Sequence, residues 1–141
     1  MPSQTSTPSL LAKGVVGCNV SVTPLPFTSD EVNLLDTGKR YQIFATTKSR
    51  DRAVLFYIKK NIVPGTYSIG APDSDEDVGA YIFHAYPDSQ YNHYAKTGTF
   101  NLNSIDFANT EIDATFEFDT DGRPGEPTIK VTNGTVTLSG P

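Results

Sequence analysis

The sequence has a single cysteine, Cys18, in 141 residues. An internal disulfide is therefore excluded, and no C-x-x-C pair or His/Cys cluster is present to hold a structural zinc ion. No apolar run approaches the roughly 18 residues of a membrane helix, and residues 1–14 lack the basic start and apolar stretch of a signal peptide. We therefore expect a soluble protein, cytoplasmic or the mature form of a secreted one, whose core is held by packing alone.

Motifs of catalysis are also missing. There is no G-x-S-x-G elbow and no glycine-rich phosphate loop followed by a helix. The alternation around Cys18 points its thiol inward, which is typical of a small core hydrophobe rather than a reactive thiolate. Asp113, Glu117 and Asp119 share a strand face, but an acidic strand face is more often solvated than catalytic. The sequence therefore favours a protein that is not an enzyme.

Charge is distributed unevenly along the chain. The net charge is −5 and the isoelectric point is near 4.8, which argues against nucleic acid as a partner. Residues 1–70 hold 8 basic and 4 acidic side chains, whereas residues 71–141 hold 3 basic and 12 acidic ones. This polarity permits head-to-tail contacts between copies, so a homo-oligomer is one expectation.

Composition favours strands. Val, Ile, Thr, Phe and Tyr together supply 50 residues, against 37 from the strong helix formers. The length predicts one domain, and residues 1–9, which contain only Ser, Thr, Pro and Gln after Met1, predict a disordered tail. Residues 10–141 are predicted to form an all-β, two-sheet antiparallel β-sandwich of about eight strands with at most one short helix, for which Ser29 to Leu35 is the candidate.

Individual strands follow from period-two alternation. Ala53 to Ile58 is apolar on both faces, which predicts a central strand. Gly98 to Phe107, Glu111 to Phe118, Thr128 to Thr132 and Thr135 to Leu138 predict a C-terminal meander. The apolar parity shifts near Asn103-Ser104, which predicts a bulge, and Asn133-Gly134 suits a type I′ turn between the last two strands.

Several motifs resemble a known family. Val63-Pro64-Gly65-Thr66-Tyr67, Gly98-Thr99-Phe100-Asn101-Leu102, Ala114-Thr115-Phe116-Glu117-Phe118 and Val131-Thr132-Asn133-Gly134-Thr135-Val136 occur in this order. The series is similar to the β-sandwich domains of unknown function in bacterial surface lipoproteins, over about residues 50–139. Ala114 stands where that family usually has glycine. The resemblance implies a β-sandwich and no catalytic residue.

Aromatic and histidine residues crowd one predicted hairpin, formed by Gly79 to Tyr86 and Tyr91 to Lys96 around Pro87-Asp88-Ser89-Gln90. Rings for stacking and polar groups for hydroxyls suit a carbohydrate or another polar ligand; packing of the same rings on a sheet face is the simpler interpretation. The candidate ligand-binding residues are Tyr81, His84, Tyr86, Asp88, Tyr91, His93 and Tyr94.

Two metal sites are weaker hypotheses. A turn centred on Asp88-Ser89 would place His84 directly opposite His93, as a metal pair with an acidic third ligand. Asp73, Asp75 and Asp77 lie at alternate positions of an acidic loop, so their oxygens could surround a calcium ion. The loop lacks the EF-hand pattern, and a solvated turn whose charge is balanced by the basic N-terminal half is the alternative.

The leading functional hypothesis is a non-enzymatic recognition module that binds a carbohydrate or a protein partner through the aromatic hairpin. One alternative is an interaction subunit of a toxin or immunity type that docks through its acidic face. A further alternative is a small enzyme that uses His84 and His93, with or without a metal.

Overall fold

A computed structural model describes residues 10–21, 26–48, 51–86, 89–120 and 128–140, and for residues 10–11, 85–86 and 89–91 it describes the backbone only. The predicted tail, residues 1–9, lies outside the described residues. Within the described ranges the chain forms eleven strands and one turn of 3-10 helix, Phe107–Asn109. The strands are β1 Leu10–Ala12, β2 Gly14–Val20, β3 Phe27–Ser29, β4 Glu31–Asp36, β5 Arg40–Thr46, β6 Arg52–Lys59, β7 Gly65–Gly70, β8 Val78–Tyr86, β9 Ser89–Asp106, β10 Glu111–Thr120 and β11 Lys130–Ser139.

The strands belong to one sheet, in the order β1-β4-β5-β6-β8-β7-β9-β10-β11-β2-β3, which nearly closes on itself like a barrel. The expectation of an all-β fold is confirmed, but the expectation of about eight strands in two separate sheets is wrong. The sheet folds into two packed layers, one containing β1, β4, β5, β6 and β8 and the other containing β10, β11, β2 and β3. Strands that run from one layer into the other join them into one sheet.

The first corner is made by the N-terminal hairpin. β1 continues into β2, and β3 continues into β4; β2 pairs with β3, whereas β1 pairs with β4. The outer flank of β2 meets β11 and that of β4 meets β5. At the bend between β3 and β4, the buried Ser29 hydroxyl donates to the Thr46 carbonyl at 2.5 Å and accepts from the Glu31 amide at 3.1 Å. One hairpin therefore belongs to both layers.

The second corner is made by β9, an 18-residue strand. Its first part pairs with β8 and its later part with β7 and β10. Against β10, an extra β9 residue lies between Ala95 and Thr97 and another between Leu102 and Ser104. Each insertion is a bulge, which bends a strand and reverses which side chains face inward. The predicted bulge near Asn103 is confirmed.

The core lies between the two layers. Phe56 of β6 is fully buried, and its ring centroid is 4.7 Å from that of Phe116 and 5.6 Å from that of Phe100. Cys18 is buried as expected. β6 is also confirmed as a central strand, because it pairs with β5 on one side and β8 on the other.

Two local predictions are wrong. Residue 29 belongs to β3 and residues 31–35 belong to β4, so this segment is not a helical turn. Val32 and Leu34 alternate into the core, and β4 pairs along its length with β5. Asn133-Gly134 forms no hairpin turn: β11 runs straight through it, with Asn133 at φ 52° as a bulge. The long β10 lies opposite both predicted strands and holds them in one ladder. The described part of the chain has no helix of the length and apolar character needed to cross a membrane.

Candidate functional site

The hairpin of β8 and β9 pairs Tyr86 with Ser89, so that only residues 87 and 88 separate the two strands. In this register His84 lies opposite Tyr91, and His93 lies opposite Ile82. The prediction that His84 pairs directly with His93 is therefore wrong. The shift is two residues, so both histidines stay on the inward side of the strands but are diagonal to each other.

The hairpin distributes the predicted ligand-binding residues over two faces. Tyr81 and Tyr94 project outward as a directly opposed pair, while His93 projects inward and is 2% exposed. His84 is half-buried at the inward side, and burial, followed by the nearby Arg52 guanidinium, lowers its pKa from 6.5, partly opposed by Asp51. The side chains of Tyr86 and Tyr91, and all of Asp88, lie outside the described residues.

Outward side chains from four strands form what we call the aromatic face. Phe44, Leu55, Tyr81 and Tyr94 are successive cross-strand partners on β5, β6, β8 and β9. Tyr57 and Phe83 lie in the rows on either side of this one. The aromatic face therefore consists of Phe44, Leu55, Tyr57, Tyr81, Phe83 and Tyr94.

The tyrosines of the aromatic face lie close together. The Tyr81 and Tyr94 rings meet edge to face, with centroids 5.7 Å apart and an interplanar angle of 77°. Burial raises the pKa of the Tyr81 phenol, and the Tyr57 and Tyr94 phenols raise it further. Tyr94 is 37% exposed, so part of its ring is open to solvent. The arrangement offers ring surface with phenol groups at its edge.

Amide side chains border the same face. Asn33 lies opposite Phe44, Gln42 lies opposite Tyr57, and Asn92 lies opposite Phe83. An amide offers both a hydrogen-bond donor and an acceptor, as does a phenol. The face can therefore stack against an apolar ligand surface and bond to hydroxyl groups around it.

Sequence reasoning missed the contribution of β5 and β6 to this face. In the sequence, Ala53, Leu55 and Tyr57 form a second apolar side of β6, and burial of a central strand on both faces already accounts for that side. The register adds that this side points away from the core, beside Tyr81. The excess of apolar residues on both sides of β6 was the available signal.

The acidic loop connects two parallel neighbours, since β7 ends beside the start of β8. It crosses the sheet surface at two glycines: a Cβ on Gly70 would lie 2.8 Å from Glu76 and Ser74 atoms, and one on Gly79 would lie 2.8 Å from Pro72. Both distances are shorter than a van der Waals contact allows. The two glycines thus let the loop lie flat on the sheet.

Basic residues from the N-terminal half hold the end of this loop. Arg40 donates to the Glu76 carbonyl at 2.8 Å and to the Asp77 carbonyl at 3.4 Å. Lys59 forms an ion pair of 3.0 Å with Asp77. The expected internal counter-charge is therefore present for this part of the loop.

The calcium hypothesis gains no geometric support. Among the residues that the structure describes, no three His, Cys, Asp or Glu side chains come together as metal ligands. Asp73 and Asp75 are exposed, and Asp77 is engaged with Lys59. Calcium binding through Asp73, Asp75 and Asp77 stays a prediction.

The opposite outer surface is polar. Thr66, Asn101, Thr115, Thr135, Gly17 and Thr28 are successive partners across six strands. Next to this row, Glu111, Asp113 and Glu117 of β10 are exposed, and Asp119 pairs with Lys130 at 3.4 Å. We call the outward side of β10 the acidic face.

Cys18 has the properties of a packing residue. Burial raises the pKa of its thiol to about 12, against a smaller lowering by Arg52. A thiol with that pKa holds almost no thiolate at neutral pH, which is the reactive form.

Comparisons with protein-family models, curated proteins and solved structures found no match. The resemblance to β-sandwich domains of bacterial surface lipoproteins stays a prediction.

Proposed function

We propose that the protein is a non-enzymatic recognition module that binds a carbohydrate on the aromatic face. The observation that carries this proposal is the cluster of Tyr57, Tyr81 and Tyr94 on the outside of the sheet, bordered by amide side chains. Tyrosines needed only for the core would point inward with Phe56. Here the rings lie on the solvent side of a sheet that already has a complete core beneath it.

The chemistry fits a saccharide better than a purely apolar partner. A pyranose ring has an apolar C–H face that stacks on aromatic rings, while its hydroxyl groups need donors and acceptors at the edge. Tyr94 provides the exposed ring, and Gln42 and Asn92 provide amides in the adjoining rows.

Tyr94→Ala tests the proposal with little risk to the fold, because this ring is already 37% exposed. We expect a panel of immobilised neutral oligosaccharides to identify a ligand of the wild type. Calorimetry should then show that Tyr94→Ala binds this ligand about fivefold more weakly, which is equivalent to about 1 kcal/mol of lost stacking. Tyr94→Phe should keep most of the affinity.

Val63→Ala is the matched control, since Val63 is exposed but lies outside the aromatic face. Its affinity should equal that of the wild type. No binding to any oligosaccharide, or equal binding by wild type and Tyr94→Ala, would overturn the proposal.

Docking of a basic protein on the acidic face is the second candidate. Glu111, Asp113 and Glu117 are exposed along one strand, and a row of like charges attracts an oppositely charged surface in a salt-sensitive way. The expected result is binding to a cationic peptide that falls in Asp113→Asn but not in Asp75→Asn, which removes the same charge from the acidic loop. Equal losses in both variants would show that binding depends only on the net charge of the protein, and would reject a defined docking face.

A further inference from the structure

A polar cleft lies at the fork where β7 and β8 separate along β9. β8 pairs with β9 up to Tyr94, and β7 pairs with it from Thr99 onward. Beyond Ser68, β7 turns away from β9 to run beside the start of β8. The resulting cleft has a volume of about 510 Å³ and is bounded by residues 68–71 of β7 and its end, by Ser74 and Glu76 of the acidic loop, and by residues 95–98 of β9. We call it the fork cleft.

Backbone groups of β9 face this cleft. Among the described residues, the pairings of Ala95 and Thr97 to Gly98 are with β10 alone. Alternate residues of a strand turn their N–H and C=O groups to opposite sides. Some backbone donors and acceptors of residues 95–98 therefore point into the cleft, where the sheet supplies no partner strand.

The loop wall of the cleft is held in place. Arg40 binds the carbonyls of Glu76 and Asp77, and the Ser74 hydroxyl donates to the Ala71 carbonyl at 2.7 Å. The Ser74 amide donates to the same carbonyl at 3.0 Å. A wall fixed by its own hydrogen bonds needs little ordering when a ligand binds, which favours affinity.

Two opposite charges line the cleft. Glu76 comes from the loop and Lys96 from the β9 bulge, and both are exposed. Within the described ranges neither side chain forms an ion pair, with the other or with any third group. A ligand with a single charge would satisfy one of them and face repulsion from the other. A ligand that carries both charges complements both.

We propose that the fork cleft binds a small zwitterion, an α-amino acid or a dipeptide with free termini. Its ammonium group contacts the Glu76 carboxylate, and its carboxylate contacts Lys96 and backbone N–H groups of β9. The volume of the cleft is sufficient for a molecule of this size. This site is separate from the aromatic face, and the proposal does not depend on carbohydrate binding.

Titration of ¹⁵N-labelled protein with glycylglycine and with a panel of free amino acids tests the inference. The amide signals of Gly70 and residues 95–98 should shift on binding. Both contacts are solvent-accessible, so the expected affinity is in the millimolar range, and Glu76→Gln or Lys96→Gln should each weaken it about threefold to tenfold. Asp75→Asn, in the same loop but outside the cleft, should bind as the wild type does.

Blocked ligands separate the two contacts. N-acetyl-glycylglycine has no ammonium group, so it should bind the wild type more weakly, and Glu76→Gln should not weaken it further. Glycylglycine amide should show the same relation to Lys96→Gln. The proposal is overturned if no zwitterion shifts the cleft amides, if blocked and free dipeptides bind equally, or if oligosaccharides alone shift these signals.

Discussion

Gly134→Ala should destabilise the protein because the new methyl group would meet the Phe116 ring. An ideal Cβ on Gly134 lies 2.4 to 2.5 Å from three carbons of that ring, whereas carbon atoms pack best at about 3.5–4.0 Å. The ring has little room to retreat, since its centroid is 4.7 Å from that of Phe56 and 6.2 Å from that of Phe118. Overpacking of this kind costs about 1–3 kcal/mol, partly offset by the lower entropy of the unfolded chain, about 0.4–1 kcal/mol.

The net loss should be about 1 to 2 kcal/mol in the free energy of unfolding, measured by urea denaturation as a midpoint lower by roughly 0.5–1 M. Gly17→Ala on the neighbouring strand is the matched control. Its Cβ would lie 3.6 Å from the nearest atom, an ordinary contact, so stability should change by at most about 0.5 kcal/mol.

Shortening the ring tests the cause directly. In a Phe116→Leu background the cost of Gly134→Ala should fall by about 1 kcal/mol, because the two side chains no longer compete for the same space. An equal cost in both backgrounds would refute the steric explanation and would instead locate the effect in the backbone of the bulge at Asn133.

Three further predictions concern titration, reactivity and local order. The pKa of His84 lies below its unfolded value of 6.5, so the unfolded state takes up the proton first and stability should fall as the pH drops below about 6.5. In His84→Gln this part of the pH dependence of stability should disappear. Identical stability profiles against pH for the two proteins would contradict this prediction. Cys18, with a pKa of about 12, should react with iodoacetamide only as fast as the protein unfolds, and rapid labelling of the native protein would show the burial to be wrong. Arg40→Gln removes the bonds to the carbonyls of Glu76 and Asp77, so amide hydrogen exchange should accelerate in the acidic loop while the amides of β11 keep wild-type rates; acceleration in both places would indicate global destabilisation.

Much of the inward and outward pattern was predictable from the sequence. The two apolar faces of Ala53 to Ile58 identified a central strand, the parity of Cys18 placed it in the core, and the parity shift near Asn103 located a bulge. Each of these follows from the period-two geometry of a strand, which a short segment contains in itself.

Local turn chemistry was a poorer guide where a long strand lay opposite. Asn133-Gly134 has the residues of a type I′ turn, yet β10 pairs with the chain on both sides of it. The positive φ of Asn133 therefore belongs to a bulge in β11 and not to a turn. His84 and His93 failed as a direct pair for a related reason. A turn centred on Asp88-Ser89 would pair Tyr86 with Tyr91, but Tyr86 pairs with Ser89, and this shift carries through the ladder to the two histidines.

The sequence by itself determined an all-β protein, its internal polarity of charge and the inward side of strands such as β2, which buries Cys18. Only the tertiary structure decided that β9 and the N-terminal hairpin join the layers into one sheet, and that Tyr57, Tyr81 and Tyr94 share an outer face. The physical reason is that alternation belongs to one strand, whereas the choice of neighbouring strand, its register and the closure of the sheet arise from pairing between distant segments. The aromatic face and the fork cleft are both products of that pairing.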